Sequence, residues 1–533
     1  MQRKTLLGLI STWLVIMLLT LTGCQTIQGL DIEQALLNSA SLQSAEASAS
    51  LKMDVLTSNT DKLSNEDKQM IALLKNLKID LTSIIMQDKQ HLSVDGAISY
   101  DKGSIPFRLA VNDSKVVIGI EGAKKPILFD LGTASAKLPM AASVPATDNQ
   151  QLLVQKIEEL IPSIMKFFLH NAPNPDHISV SSVVESVHNE TLSLQKAHIE
   201  VYGNEIQGLL KTLLTNILAD EKGMKELIGQ LYDALLPLIQ EEMNKSAKDK
   251  DASDFGLDYN EMIMPYIENR TLAVEFIHTT LQQLLRKTLK DWDKQVKDSA
   301  SSPMEKAMFS DKTSLKLDLF IDSAKQIRKA NLAVTIPVTD EKSPGIEGVQ
   351  IAMTSEIWHI NLPVTAHTID IAGGTQDMNK VTYKDSAFLT FFVPTSKAYA
   401  FLRHDLKIAK KEVNLTLSPN AADLHPLDAS HPFINGDQIA MMPVRFISER
   451  LGAAVTWNAA SKEITVKDAL NDTTIVMALG SRTASVNGAV VEMSSPAMLK
   501  NGSTFVPMRF IAEQLGSKVI YDDATHSVTI TRE

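Results

Sequence analysis

One sequence unit occurs twice at the carboxyl end of this chain, and a repeat constrains a fold tightly because both copies must satisfy the same local geometry. Asn435-Gly436 followed by Met442-Pro443-Val444-Arg445-Phe446-Ile447-Ser448-Glu449-Arg450-Leu451-Gly452 is echoed by Asn501-Gly502 followed by Val506-Pro507-Met508-Arg509-Phe510-Ile511-Ala512-Glu513-Gln514-Leu515-Gly516. The offset from Pro443 to Pro507 runs on without a gap to Ile464-Thr465-Val466 and Val528-Thr529-Ile530. Asn-Gly tolerates positive φ at both positions and signals a two-residue hairpin. Pro443 and Pro507 suit the first turn of a helix, where a missing N–H costs nothing. Phe446, Ile447 and Leu451, like Phe510, Ile511 and Leu515, form the apolar stripe of that helix, and Gly452 and Gly516 end it as left-handed caps. Val455 and Trp457, like Val519 and Tyr521, begin a strand that turns back through Ile464 and Val466, or Val528 and Ile530. The unit therefore reads hairpin, short helix, hairpin, with a further strand pair between the copies around Asn487-Gly488.

The doubled P-x-R-F-I-x-E-x-L-G pattern, from near Pro432 to the end, resembles the copper amine oxidase N-terminal-like domain, a stalk domain of many exported bacterial proteins. The resemblance implies no copper. Such oxidases need a modified tyrosine in an Asn-Tyr-Asp/Glu context and a three-histidine copper site, whereas Tyr259-Asn260-Glu261 is in the wrong order and no His-x-His pair exists. Where that family opens with an extra strand, residues 418–430 read SPNAADLHPLDAS, so the first hairpin is expected to depart from it. Four residues of the repeat are candidates for binding: Arg445, Trp457, Arg509 and Tyr521. The favoured alternative for the arginines is a scaffold role, either a pair with Glu449 or Glu513 one turn on, worth ~0.3–0.5 kcal/mol if exposed, or a guanidinium bonding loop carbonyls. For the aromatic residues it is burial in the core.

The amino terminus bears on location. Arg3 and Lys4 lead a nearly continuous apolar run from Leu6 to Leu21 with no acidic residue, an export signal over residues 1–23. Leu21-Thr22-Gly23-Cys24 resembles the bacterial lipobox, which implies cleavage before Cys24, diacylglycerol on its thiol and acylation of its amino group. At ~0.8 kcal/mol per buried methylene, two or three such chains attach a protein lastingly. Residues 24–40 then hold the lipidated cysteine and a tether. The expected location is the extracytoplasmic face of the cell membrane.

Between these ends, residues 41–400 read as one α+β domain. Asp31 to Ser50 is Ala/Ser-rich and predicts a first helix. Alternation at Leu51, Met53 and Val55, at Ile79 and Leu81, less cleanly from Ile84 to Met86, and over 91–100, 105–112 and 115–121 predicts a meandering antiparallel sheet with one polar face. Helical spacing from Leu152 to Phe168, kinked at Pro162, precedes a strand at Leu192 to Tyr202 and helices near 204–219, 221–245 and 268–296. Strands return near Leu315 to Ile321, Leu332 to Ile336, 347–353 and 363–371. The fold class is α+β: a curved antiparallel sheet packed on helices, followed by a small α+β stalk domain over 430–533. This order of elements resembles the lipoprotein-carrier (LolA-like) class over residues 40–375, which implies an apolar groove beneath the sheet.

Charge and motif content narrow the chemistry. Fifty-two basic against 63 acidic residues give a net charge of −11, so no polyanion footprint exists and no nucleic-acid partner is expected. One cysteine excludes a disulfide framework and any Cys-based zinc or iron-sulfur site. Asp249 and Asp251 suggest a calcium loop, but Asp254 and Asn260 stand where glycine and glutamate are needed. Ser193-Leu194-Gln195-Lys196 has S-x-x-K spacing without a K-T-G companion. The sequence predicts no catalytic residue, metal or cofactor. The leading expectation is a non-enzymatic, anchored envelope lipoprotein contacting envelope components or a protein partner. The alternatives are a carrier or sensor of a lipid or other amphiphile, and an envelope hydrolase with a dispersed site.

Overall fold

The computed structural model describes residues 30–58, 60–130, 148–246, 269–299, 303–338, 345–378, 388–416, 432–500, 502–522 and 527–532. The chain divides into two compact units, residues up to 118 with 128–370, and residues 119–127 with 371–533. Residues 371–400, read from sequence with the central region, thus group with the second unit. Cys24, the calcium-like loop and Tyr259 lie outside the described residues.

The first unit is a strongly curled antiparallel sheet with helices, in keeping with an α+β class. Its ten longer strands are β1 (Ala45–Thr57), β2 (Lys78–Met86), β3 (His91–Tyr100), β4 (Gly103–Asn112), β5 (Lys115–Ile120), β6 (His177–Val187), β7 (Glu190–Tyr202), β8 (Ser314–Ile321), β9 (Ile327–Pro337) and β10 (Ile346–Trp358). They lie side by side in the order β5-β4-β3-β2-β1-β10-β9-β8-β7-β6. The meander of β1–β5 and that of β6–β10 are therefore joined where β1 pairs with β10, from Glu46↔Trp358 to Thr57↔Ile346.

Helices α1 (Ile32–Ala40), α2 (Asn65–Asn76), α3 (Asp148–Asn171), α4 (Gly203–Ala219), α5 (Glu221–Ser246) and α6 (Arg270–Lys290) accompany the sheet. Their starts are written in the sequence. The Asp31 carboxylate accepts from Gln34 N, and Asn269 Oδ1 from Leu272 N. Ser64 Oγ accepts from Asp67 N while donating to the Asp67 carboxylate. Leu30, Ile32 and Ala35 of the α1 region and Ile206 of α4 pack on Ala197, Ile199, Leu315 and Leu319 of the sheet. Helices α3–α6 share a smaller core of Leu213, Ile217, Met224, Ile228 and Val274. Arg270 forks onto Asp233 at 2.7 and 2.8 Å across α6 and α5.

Two expectations need correction here. The first helix ends at Ala40, and Ala45 to Ser50 is strand, because β1 is paired on both sides and tertiary pairing outweighs the helix propensity of its alanines. Residues 363–371 form no strand; the backbone of Ala366 and His367 donates instead to the side chains of Gln87 and Ser93. The uneven alternation of β2 has a cause: a bulge at Thr82–Ser83 sets three residue steps against two, so Leu81 and Ile84 share a face.

The second unit holds β11 (Lys411–Thr416), β12 (Phe433–Ile434), β13 (Ala440–Pro443), α7 (Val444–Arg450), β14 (Ala454–Asn458), β15 (Glu463–Asp468), β16 (Thr473–Ala478), β17 (Thr483–Val486), β18 (Ala489–Glu492), β19 (Met498–Lys500), β20 (Ser503–Pro507), α8 (Met508–Gln514), β21 (Ser517–Asp522) and β22 (Ser527–Arg532). Three sheets, β11-β22-β21, β12-β13-β20-β19 and β14-β15-β16-β17-β18, enclose one core of residues such as Met442, Ile447, Val466, Val506, Ile511 and Ile530. Pro443 and Pro507 end their strands and stand before the helices, at ψ 120 and 118, rather than in the first turn. Asn435-Gly436 does not make a two-residue turn. Asn435 Oδ1 accepts from Asp437 N and Ile439 N, and the left-handed residue is Gln438. Asn487-Gly488 does form the tight turn, with φ 49 and 86.

Gly452 and Gly516 take φ +92 and +74, as left-handed caps require. Gly452→Ala forces a Cβ into that region and is expected to cost about 1 kcal/mol. Denaturant unfolding of the wild type and variant would measure it.

Candidate functional site

The register of the first unit's sheet builds a continuous apolar row one residue wide. Ile105, Ile98, Ile79, Leu51, Met353, Leu332, Leu317, Ile199 and Ile178 lie opposite one another across β4-β3-β2-β1-β10-β9-β8-β7-β6. The adjoining row, which a strand's period of two turns to the other face, is polar: Asp80, Ser50, Thr354, Asn331, Asp318, His198 and Ser179.

Coverage of the apolar row is uneven. Ile199, Leu317 and Ile105 are buried, Ile98, Ile79, Met353 and Leu332 are half-buried, and Leu51 at the middle of the sheet is 36% exposed. Gly96 lies beside this stretch. A Cβ there would meet Asp80 O at 2.6 Å and Phe107 Cζ at 2.8 Å, so the absence of a side chain lets the Phe107 ring lie against the sheet. The six strands from β4 to β9 span roughly 24 Å at ~4.8 Å per strand, long enough for an extended hydrocarbon chain.

The polar face carries the main group of ionisable side chains. His198 Nδ1 lies 2.6 Å from Asp318 and Nε2 lies 3.1 Å from Glu200. Tyr202 donates its hydroxyl to Glu200 at 2.7 Å, Lys316 donates to Glu200 at 3.0 Å, and Lys196 pairs with Asp318 at 2.9 Å. The Tyr202 hydroxyl, then the Lys316 ammonium, hold the Glu200 carboxyl down to about 2. Both ring nitrogens of His198 are engaged by carboxylates, which leaves neither to take a proton from a substrate. Each charge here is answered by a neighbour, as on a solvated sheet face. The S-x-x-K spacing falls on β7, where Ser193 is exposed, Lys196 is committed to Asp318 and the two point to opposite faces. Among the described residues no group of three or more His, Cys, Asp or Glu could hold a metal ion. No described helix is long and apolar enough to cross a membrane.

In the second unit, Arg445 and Arg509 lie exposed on α7 and α8 and face Glu449 and Glu513 at 3.9 and 3.7 Å. Each arginine is thus paired with the glutamate one turn on, not with an aromatic residue. Trp457 and Tyr521 are 44% and 38% exposed, which overturns their assignment to the core. Their strands β14 and β21 are sheet edges, and the core is reached by Val455 and Val519, two residues earlier, leaving the aromatic rings beyond it.

Residues 425–530 match the family model described as copper amine oxidase N-terminal domain. The match is to that N-terminal domain and not to a catalytic one. No curated protein matches the chain.

The Glu200 cluster predicts a pH signature. A carboxyl held below its ordinary value of 4.5 contributes stability that is full above that pH and is lost as pH falls toward about 2. Tyr202→Phe removes the largest cause. Its stability deficit is expected to be greatest at neutral pH and to vanish near pH 2, with the Glu200 titration midpoint rising toward 4.5, read by carboxyl-carbon NMR.

Proposed function

We propose that this chain is a lipid-anchored, extracytoplasmic protein of the cell envelope whose curled sheet binds an amphiphile, without catalysis, while the carboxyl-terminal module contacts envelope material or a protein partner. The observation that supports it most is the aligned apolar row of the first unit, buried at Ile105, Leu317 and Ile199 and thinly covered at Leu51. A closed core would hide such a residue, since exposing an apolar side chain forgoes ~25 cal/mol for each Å² left in water. The LolA-like order of elements agrees with this reading, as does the Cys24 lipobox with the location.

The self-satisfied polar face supports the absence of catalysis. For the module we adopt the duplicated reading: two copies of a hairpin-helix-hairpin unit, each with its arginine, Arg445 or Arg509, serving the scaffold rather than a ligand.

Two measurements test the proposal. Wild-type protein purified gently should carry a copurified lipid in native mass spectrometry. Leu51→Glu, at a residue already 36% exposed, should keep the fold by circular dichroism and lose most of that ligand. Equal lipid on both proteins, or none on either, counts against the apolar row as a binding surface. Cys24→Ser should be released in soluble form or remain unprocessed; normal cleavage with unchanged membrane retention would refute the anchor.

A further inference from the structure

The second unit contains a buried ion pair between positions that the repeat makes equivalent. Under the Pro443–Pro507 offset Asp468 corresponds to Arg532. The two side chains, each 1% exposed, meet with Arg532 Nη2 donating to Asp468 Oδ2 at 2.5 Å. Arg532 Nη1 also donates to the carbonyl of Leu451 at the end of α7.

Two residues that contact their own counterparts lie at the axis relating two copies. Strand pairing fixes the same axis independently. Met442 lies opposite its counterpart Val506, Met441 faces Pro507 and Pro443 faces Phe505, which is the reciprocal exchange of an isologous contact. Helices α7 and α8 touch as well, and their counterparts Ser448 and Ala512 are both fully buried.

An isologous surface does not by itself distinguish the other half of its own chain from the same half of a second chain. Met442 could face Met442 about as well as it faces Val506. The ion pair breaks that degeneracy. Like-with-like association would press aspartate on aspartate, or arginine on arginine, out of water and without compensation.

We propose that Asp468–Arg532 is a pairing key: it makes the association of the two halves heterotypic and excludes like-with-like pairing with a second copy of this chain. The inference rests on reading the two stretches as copies of one unit. Twofold equivalence also predicts that reversing the pair is tolerated, because Leu515, the counterpart of Leu451, then presents the carbonyl that the relocated arginine needs.

The test uses the full chain and reads hydrogen-exchange protection at Val466 and Ile530 by mass spectrometry. Asp468→Arg and Arg532→Asp, each alone, should lower protection by roughly a hundredfold or more, and the reversed double variant should restore it to within about tenfold. A double variant as poorly protected as the singles overturns the equivalence of the halves. The two single variants are then refolded together, so that only halves from different chains carry opposite charges. A 1:1 heterodimer in native mass spectrometry, with protection regained, is the expected result. If the double variant recovers but the mixture gives neither heterodimer nor protection, the duplicated reading stands and the pairing key is refuted.

Discussion

The first unit depends on one constraint: strand register that keeps an apolar row on one face across nine strands. Because a strand's side chains alternate, a slip of one residue in any pairing would turn the hydrophobic set of that strand outward. The bulge at Thr82–Ser83 shows how tightly this is held. Without it, Ile84 and Met86 would leave the face that Leu81 and Ile79 occupy; with it, they meet Val94 and Leu92 of β3. Burial of Ile199, Leu315 and Leu319 against α1 and α4 then follows.

The two faces divide the chemistry. Lysines, histidine and carboxylates gather on the polar face, where Lys196, His198, Glu200, Tyr202, Lys316 and Asp318 neutralise one another in contact with water. What the polar face leaves unmet is small. The unmet demand lies on the other face, where Leu51 and its half-buried neighbours are large, apolar and incompletely covered. It is this contrast between the two faces on which the proposed binding of an amphiphile rests.

Much of this was legible from the residues. The strand at 91–100 and the helices at 203–219 and 221–246 follow directly from alternation and from helical spacing, because those patterns record which face each element buries. The glycine caps of the repeat are equally local, since only glycine enters the left-handed region without strain. Other features were not legible. Ala45, Ala47 and Ala49 carry helix propensity into the centre of a sheet, and nothing near them in sequence announces the two partners that override it. Trp457 looks like core by residue type and becomes exposed because its strand is an edge.

The sequence by itself determined the alternation, the helix faces and the glycine caps, all of which depend on residues within a few positions of one another. Tertiary structure alone decided which strands align, how far helices cover the apolar row, and that Asp468 meets Arg532. Those outcomes are set by contacts between residues far apart in the chain. Their energies depend on burial and register, which no local pattern encodes.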